Sequence, residues 1–521
     1  MNKMQENKSF MYVKEVALVL LLCSIVYWPR LGTWGFYFTE GHRAITAWEM
    51  MDTGDYLTPR MFEQAYLRKP PGLQWMIIAS SMIFGQTEFA ARAVSAFSAS
   101  LMAIITMFFA NRWFGRPWGL YAGSAQVLTP LFLGFARAVE IESLNNLFTQ
   151  LSVFLLLDML LNKSRQSLKH SIIMVFFISI SITGLGLAKG PAGVPCLIGA
   201  VLSVCIVSRS ASSLKRPALW TSFAVPALTL TVIGHLILSS LEVTGEPVVK
   251  EGVMFWHWSS TQWYMPLMLA PMTLVSALPT SLVLLFPLLR QLKTNESDSG
   301  NQPHELIARA IVFTSLLSLL IYAAVGISNT RYAMPAVTFI PVLVAYVMRN
   351  YRTGFSELQT KLAKYFLVHK PVLWVGILLS IAFVWITVLE PRHGRKSGRE
   401  PGFELAKFIP DGAVILANGM IESHPELIFY ARRFAAREGK NIRVMWKKTF
   451  PQKIPLQTIK RYFLLASGYE MEWYRENGFL DHLQPITSGK VRNASFTLLQ
   501  VVNFADDANA LLKTNTLEPS R

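Results

Sequence analysis

The chain has 521 residues, is 52% hydrophobic and only 16% charged, and its mean hydropathy is +0.35. A soluble domain carries roughly 25% charged residues; here apolar runs recur along the first three quarters, which excludes an ordinary soluble enzyme and indicates a polytopic membrane protein. The formal net charge of +17 does not indicate nucleic-acid binding, because Lys and Arg gather in short loops between apolar runs and no basic stripe or base-stacking motif accompanies them.

The N-terminus places basic residues before an apolar run at 12–28 and has no small-residue cleavage site. It reads as an uncleaved first helix that starts in the cytoplasm. The segment 30–88 then holds acids (Glu40, Glu49, Asp52, Asp55, Glu63), bases (Arg43, Arg60, Arg68, Lys69), His42 and the turn Pro70-Pro71. Within it, 73–85 is apolar but shorter than the about 17–25 residues a crossing needs. It is placed as a surface or re-entrant helix, because that choice puts the basic loops from Arg112 and Arg116 onward on the inner side. The expected spans continue at 89–109, 118–135, 144–161, 172–188, 194–207, 219–241, 264–289, 307–327, 333–348 and 372–389, giving an α-helical polytopic protein of about 11–13 transmembrane helices. Pro266, Pro271, Pro279 and Pro287 predict kinks or a break in the run 264–289. The cysteines Cys23, Cys196 and Cys205 all sit in apolar runs, with no metal spacing or disulfide framework.

From about Pro391 the pattern changes. A polar linker, PRHGRKSGREPG, leads to short apolar runs at 413–417, 442–446, 462–466 and 495–502 that read as strands, with a helix over 422–438. The expected division is a membrane domain over 1–390, whose first outer loop is 30–88, and a C-terminal α/β domain over 391–521 on the outer side. No Gly-rich phosphate loop and no internal repeat is visible.

Ionisable groups from distant loops collect on the outer face: Glu40, His42, Lys69, Arg137, Glu140, Glu142, Lys189 and Arg331. Within a bilayer each charge costs about 2.5–3.5 kcal/mol on insertion scales, so such groups have partners or a task. The chemistry that fits is transfer of a group from a lipid-linked phosphate. A carboxylate removes a proton from the acceptor, and cations stabilise the departing phosphate. A sugar donor would pass through an oxocarbenium-like transition state. Glu40 and Glu142 are the base candidates. Lys69, Lys189 and Arg331 are the phosphate candidates, with Arg331 suited to bidentate binding. Other features have plainer readings. Ala44, Ala47, Trp48 and Met51 form a packing face; the aromatic stretch 255–266 anchors at the interface or lines a site; His257 has no obvious metal partner; Asp158 is a buried polar contact near a helix end; and the Asn493-Ala-Ser sequon matters only in a host that glycosylates there.

Five stretches, TEGHRAITAWEMMDTGDYLTPR, YLRKPPGLQWMIIASSMIFGQTEFAARAVSA, ARAVEIESL, LAKGPAG and NTRYAMPAVTFIP, resemble in order and spacing the GT-C type membrane glycosyltransferases. The resemblance is to the branch with aminoarabinose transferases of lipid A and bacterial relatives of protein mannosyltransferases, and covers roughly the first 350 residues. It implies an enzyme, a hexosyl or pentosyl transferase, taking a sugar from polyprenyl phosphate at the extracytoplasmic face and passing it to a lipid, glycan or protein acceptor. It also implies residence in the bacterial inner membrane, among membrane lipids and without nucleic acid. The family's first-loop acid maps near Glu40 and its second acid to Glu142, with Glu140 as rival. The basic residues of its Lys-Pro-Pro and Lys-Gly motifs map to Lys69 and Lys189. Arg68 joins the phosphate-binding candidates, and His42, Arg137 and Glu140 are accessory. This chain has Thr39-Glu40 where the family usually has Asp-Glu. It has Arg68 where relatives often carry an acid that helps bind a metal, so no metal ligand is assigned, no cofactor is required, and a divalent metal stays an open alternative. The competing functions are a transporter or flippase of lipid-linked substrates, against which stand the one-sided charges and the lack of repeats, and a non-catalytic membrane scaffold.

Overall fold

The computed structural model describes residues 2–37, 39–162, 167–244, 265–278, 280–285, 302–350, 371–389, 396–417, 419–446, 461–476 and 478–502. The readings made for most of 255–266 including His257, for Pro279 and Pro287, and for the first part of the linker after Pro391 lie outside the described residues.

Six helical segments among the described residues are long and apolar enough to cross a membrane: Glu88–Phe114, Ile141–Leu161, Leu168–Val207, Pro217–Ser240, Pro303–Ala324 and Thr330–Asn350. The protein is an integral membrane protein. Helix α1 (Asn2–Val26) precedes these, and α2 (Thr39–Thr53) and α3 (Gly72–Phe84) lie in the segment before the first of them. At about 1.5 Å per residue α3 is roughly 20 Å long, short of a bilayer core.

Local chemistry sets the helix starts. Thr87 is extended, and its hydroxyl accepts from the Ala90 N–H at 3.1 Å, opening α4 (Glu88–Phe114) with an acid in the first turn. The chain then returns through α5 (Trp118–Leu128) and α6 (Pro130–Ala136). Gly119 permits this close return, since a Cβ there would stand 2.4 Å from the Met107 carbonyl oxygen. Helix α7 (Ile141–Leu161) runs parallel to α4: Ser95 donates to the Glu140 carbonyl at one end and Arg112 pairs with Asp158 at 2.7 Å at the other. Asp158 also accepts from the Trp113 indole, so it is a structural contact at a helix end.

The segment Leu168–Val207 is two helices. Gly190 (φ 62°) opens a 3-10 turn over Gly190–Gly193 that ends α8 (Leu168–Lys189) and starts α9 (Val194–Val207). Helix α8 lies antiparallel to α7, through Ser152–Ser181 and Lys189–Glu142. Helices α10 (Pro217–Thr244), α11 (Met265–Ser276) and α12 (Pro303–Ala324) follow. The proline-rich run 264–289 is broken, since α11 stops at Ser276 and a 3-10 turn, Thr280–Leu284, comes after it. Helix α12 packs antiparallel on α9, pairing Ser203 with Thr314 and Cys196 with Tyr322. The bundle therefore has two ends. Glu140, Glu142, Lys189 and Arg331 sit at one; Arg112, Arg116, Asp158 and Arg349 sit at the other.

After the bundle the chain forms a five-stranded mixed sheet in the order β4-β3-β5-β7-β6, where β3 is Val414–Ala417, β4 Arg443–Trp446, β5 Tyr462–Ser467, β6 Leu483–Val491 and β7 Ala494–Val501; β1 (Arg60–Met61) and β2 (Gln64–Ala65) form a small hairpin in the first loop. Strands β3, β4 and β5 are parallel; β7 pairs antiparallel with β5 and β6. Two elements depart from the sequence reading. Helix α13 (Arg399–Lys407) begins inside the expected linker, burying Leu405 and Ala406. Strand β6 was not expected, because Pro485 and Gly489 interrupt its alternation. Helix α14 (Pro425–Arg437) lies over the first loop. Phe36, Ile45 and Trp48 share one apolar cluster with Leu427, Ile428, Phe429 and Tyr430. The Tyr430 hydroxyl accepts from the Phe36 N–H at 2.8 Å and donates to Glu88 at 2.9 Å. The sheet region is thus packed onto the loop that begins the site.

Candidate active site

Between the bundle end and the sheet lies a cavity of about 700 Å³. From the bundle side it is lined by Tyr37, Thr39, His42, Arg43, Tyr66, Arg68, Lys69, Gln74, Ile141, Glu142, Lys189, Arg331 and Tyr332. From the sheet side it is lined by Lys396, Glu422, Ser423, His424, Arg492, Asn493 and Ala494. Seven of these side chains are basic and two are carboxylates, a balance that suits an anion.

The lining cations are placed by short local devices. The Pro70-Pro71 turn ends in Gly72, which packs on α8 so closely that a Cβ would be 2.6 Å from the Leu187 carbonyl oxygen. This brings Lys69 to the Lys189 turn. Lys189, held in the last turn of α8, donates to Glu142 Oε1 at 2.9 Å and lies 4.4 Å from the centre of the Tyr332 ring. Asn329 accepts from the Arg331 backbone N–H at 2.9 Å and fixes the turn from which the guanidinium reaches both Glu140 and Glu142. Arg43 pairs with Glu140 at 2.6 Å and donates to the Val139 carbonyl and to Thr39. Arg68 lies over the Tyr66 ring at 5.2 Å. Three cations, Arg43, Lys189 and Arg331, therefore share two buried carboxylates. Burial pushes the Glu140 carboxyl up; Arg43 lowers it, and the adjacent Glu142 charge raises it again, with a net upward shift.

The structure brings together Lys69, Lys189, Arg331, Arg68, His42 and Glu142 from the sequence reading, and separates Glu40, Glu140 and Arg137 from the cavity wall. Glu40 was expected as a base. Instead it is 4% exposed and both oxygens are occupied: Oε1 accepts from Arg92 and the Val139 N–H, and Oε2 from Arg92 and the Tyr37 N–H. Burial pushes this carboxyl up, but Arg92 and the two backbone donors more than reverse that and hold it below the usual carboxylate range. Arg92 also donates to the carbonyls of Leu31, Trp34 and Gly35, so the pair clamps the loop entry. The residue that faces the cavity in this register is Thr39, which donates to Glu140 at 2.8 Å. Arg137 reaches the carbonyls of Val26, Tyr27 and Pro29 and closes the C-terminal end of α1. Glu140 stands one layer behind the wall, on Arg43, Arg331 and Thr39.

His42 contacts the Glu422 carbonyl through Nε2 at 3.0 Å, and its Nδ1 is enclosed. Burial lowers its pKa to about 4, so it is neutral at physiological pH and joins α2 to the sheet side. The sequence reading missed Arg43, although it lies four residues from Thr39 on one helix face. It also missed Lys396, Glu422, His424 and Arg492, which no local pattern links to the membrane region. Among the described residues no group of three or more His, Cys, Asp or Glu could hold a metal ion, and Arg68 brings a cation to the position beside Lys69. The basic lining of the cavity suits an anion.

Residues 68–236 match a family model described as dolichyl-phosphate-mannose-protein mannosyltransferase. The undecaprenyl phosphate-alpha-4-amino-4-deoxy-L-arabinose arabinosyl transferase of Pectobacterium atrosepticum is 25% identical over 149 residues, 28% of this chain and 27% of that protein. A transferase of the same description from Pseudomonas fluorescens is 32% identical over 107 residues, 20% of each chain. The matched stretch thus spans about a quarter of the length of these curated relatives. Among solved structures, ArnT from Cupriavidus metallidurans bound to undecaprenyl phosphate has a TM-score of 0.67 at 17% identity, over 93% of this chain and 97% of that one; its apo state gives 0.62 over 94% and 98%. The chain has the ArnT fold: a bundle of membrane helices with a C-terminal sheet.

Proposed function

We propose that this protein is a glycosyltransferase that takes a sugar from a polyprenyl-phosphate-linked donor and passes it to a lipid, glycan or protein acceptor. The observation that carries this reading is the convergence of Lys69, Lys189, Arg331 and Arg68 on one cavity at the end of the membrane bundle. In the reaction the bond from the sugar's anomeric carbon to the phosphate oxygen breaks, its electron pair stays with the phosphate, and the acceptor oxygen bonds to that carbon. Arg331 and Lys189 are aimed by Glu140 and Glu142, so the charge that develops on the phosphate meets cations already in position. Glu142 carries three charge-assisted hydrogen bonds, from Lys189 and twice from Arg331. That makes it an orienting anion for the cations; Glu40 serves the fold. The fold shared with ArnT and the names of the curated relatives support the donor class.

The domain assignment that goes with this function is a membrane glycosyltransferase domain over 1–390 and an extracytoplasmic α/β domain over 391–521. The N-terminus lies in the cytoplasm of a bacterial cell and the bundle in its inner membrane. The basic loops around Arg112, Arg116, Arg209, Lys215 and Arg216 support this orientation, since they mark the cytoplasmic side.

The test uses purified protein in lipid nanodiscs with a panel of labelled undecaprenyl-phosphate sugars. The parent releases sugar from at least one donor, while Lys189→Ala and Lys69→Ala each lower kcat by about 100-fold or more, the range for removing one preorganised charge donor. Failure of the parent to consume any polyprenyl-phosphate sugar, or variants as fast as the parent, would reject the function.

A further inference from the structure

Thr39 is the first-loop residue that faces the cavity beside Glu40, Glu40 itself is enclosed in the Arg92 clamp, and Glu142 is held by two cations. The acceptor's proton therefore needs a different base, one that faces the cavity with a free lone pair. The sheet side supplies it. His424 precedes α14, lines the cavity, and contacts Glu426 Oε1 through Nδ1 at 3.3 Å. Its Nε2 has no hydrogen-bond partner among the described residues.

Glu426 is an unusual group for a structural role alone. It is 0% exposed, its second oxygen is buried without a partner, and no cation lies within ion-pair distance of it among the described residues. A buried carboxylate without a charged partner is costly. Gly41 of α2 and Gly398 close on it from two sides; a Cβ at Gly41 would be 3.3 Å from Oε2 and one at Gly398 would be 2.6 Å from Cγ. The carboxylate is thus fixed against the His424 imidazole, which lines the cavity. A carboxylate beside Nδ1 keeps the ring proton on that nitrogen and leaves the lone pair on Nε2. When Nε2 accepts a proton, the positive charge forms on a ring already hydrogen-bonded to Glu426. The groups surrounding the pair are His42, whose Nε2 is committed to the Glu422 carbonyl, the Glu422 carboxyl and the Arg492 guanidinium.

We propose that His424 is the general base of the transfer reaction, acting on the acceptor hydroxyl from the sheet side of the cavity, and that Glu426 is its positioning residue. The inference rests on the glycosyltransferase reading above. The acceptor O–H proton passes to His424 Nε2 as the oxygen bonds to the anomeric carbon. The electron pair of the breaking bond leaves with the phosphate on the opposite, cation-bearing wall, and His424 returns its proton to water. The sheet is then the acceptor half of the active site, facing the donor half in the bundle.

The experiment uses the full chain in nanodiscs, with undecaprenyl phosphate as the binding probe. The turnover probe is a labelled undecaprenyl-phosphate sugar that the parent consumes, with methanol as the hydroxyl acceptor. His424→Ala and His424→Asn are expected to lower kcat, counted per folded molecule, by about 100-fold or more, within the range for general-base catalysis, with binding of undecaprenyl phosphate unchanged. Added imidazole restores at least about tenfold to His424→Ala, a rescue that a structural histidine would not show. Glu426→Gln lowers kcat by about tenfold with the donor KM unchanged, and Glu426→Asp recovers part of it. A parent that consumes no polyprenyl-phosphate sugar removes the glycosyltransferase reading and this inference with it. An active parent with His424 variants of parental rate, or a larger loss in Glu422→Gln than in either, overturns the assignment of His424 alone.

Discussion

The two ends of the helix bundle both bury ion pairs, and they do so differently. At the end away from the sheet the pairs are closed. Arg112 meets Asp158 through two hydrogen bonds of 2.8 and 2.7 Å, and Arg116 meets Glu15 at 3.1 Å, one cation to one anion. At the sheet end Arg43, Lys189 and Arg331 share Glu140 and Glu142, and Arg68 and Lys69 join them around a cavity. A closed pair has nothing to offer a ligand. A cluster with more cations than anions is built at a cost in self-repulsion and repays it when an anion arrives. The same residue types thus hold the bundle together at one end and line a cation-rich cavity at the other.

Arginine substitutions at the two ends separate these roles most strongly. Arg331→Ala should lower sugar transfer by about 100–1,000-fold and leave the melting temperature little changed, because Lys189 and Arg43 still balance the two glutamates. Arg112→Ala should do the reverse. It leaves Asp158 buried without its cation, which costs about 3 kcal/mol or more, while turnover per folded molecule stays near parental. Glu40→Gln belongs with Arg112→Ala despite its place in the first loop, because it breaks the Arg92 clamp. Thermal melts and transfer assays on the same samples decide the matter. A large rate loss in Arg112→Ala at intact stability would erase the distinction between the ends.

Within the first loop the contrast is between two buried titratable groups with opposed effects. Burial raises Glu49 to about 7 and lowers His42 to about 4. Between about pH 4.5 and 7 the folded protein keeps the Glu49 proton that an unfolded chain has lost, so this group makes stability fall as pH rises. Between about pH 4 and 6.5 the unfolded chain holds a His42 proton that the folded protein refuses, so that group makes stability rise with pH. Each effect is worth at most about 3 kcal/mol, and in the parent they largely cancel. His42→Gln should therefore give a melting temperature that declines from pH 4.5 to 7, and Glu49→Gln one that climbs from pH 4.5 to 6.5. Identical slopes in both variants would show that other groups set the profile.

Several of the cations on the bundle side of the cavity were legible in the sequence, because their placement is local. A 13-residue apolar helix too short to cross, a Pro-Pro turn after Lys69, and a glycine after Lys189 each mark a chain end at the membrane surface. The fold class followed from hydropathy and from short apolar runs after Pro391. The division of labour among the acids was not legible, because it depends on partners. Glu40 is taken by Arg92, 52 residues away, and Arg137 by carbonyls of the first helix more than 100 residues away. The sheet's part in the cavity was hidden for the same reason: His424 and Arg492 sit in a turn and a hairpin tip with no periodic signal of their own. Strand β6 shows a further limit, since a proline and a glycine in LQPITSGKV dilute the alternation that would reveal it.

The smallest effects concern how the sheet is held on the first loop, where buried and exposed contacts again part company. Tyr430 bridges Phe36 and Glu88 inside the shared core, with bonds of 2.8 and 2.9 Å. Glu63 and Arg443 bridge the same two regions at 2.8 Å, with side chains 57% and 60% exposed. Tyr430→Phe strands a buried N–H and a glutamate oxygen, a loss of about 1–3 kcal/mol. Glu63→Gln removes a solvated pair worth about 0.2–1 kcal/mol at low salt, and less as salt screens it. Raising the salt from 20 mM to 500 mM, on the order of a fourfold or greater shortening of the screening length, should close the gap between the parent and Glu63→Gln. The deficit of Tyr430→Phe should stay where it was. A Tyr430→Phe deficit that also vanished in salt would mean that charge, and not the shared core, holds the sheet region against the first loop.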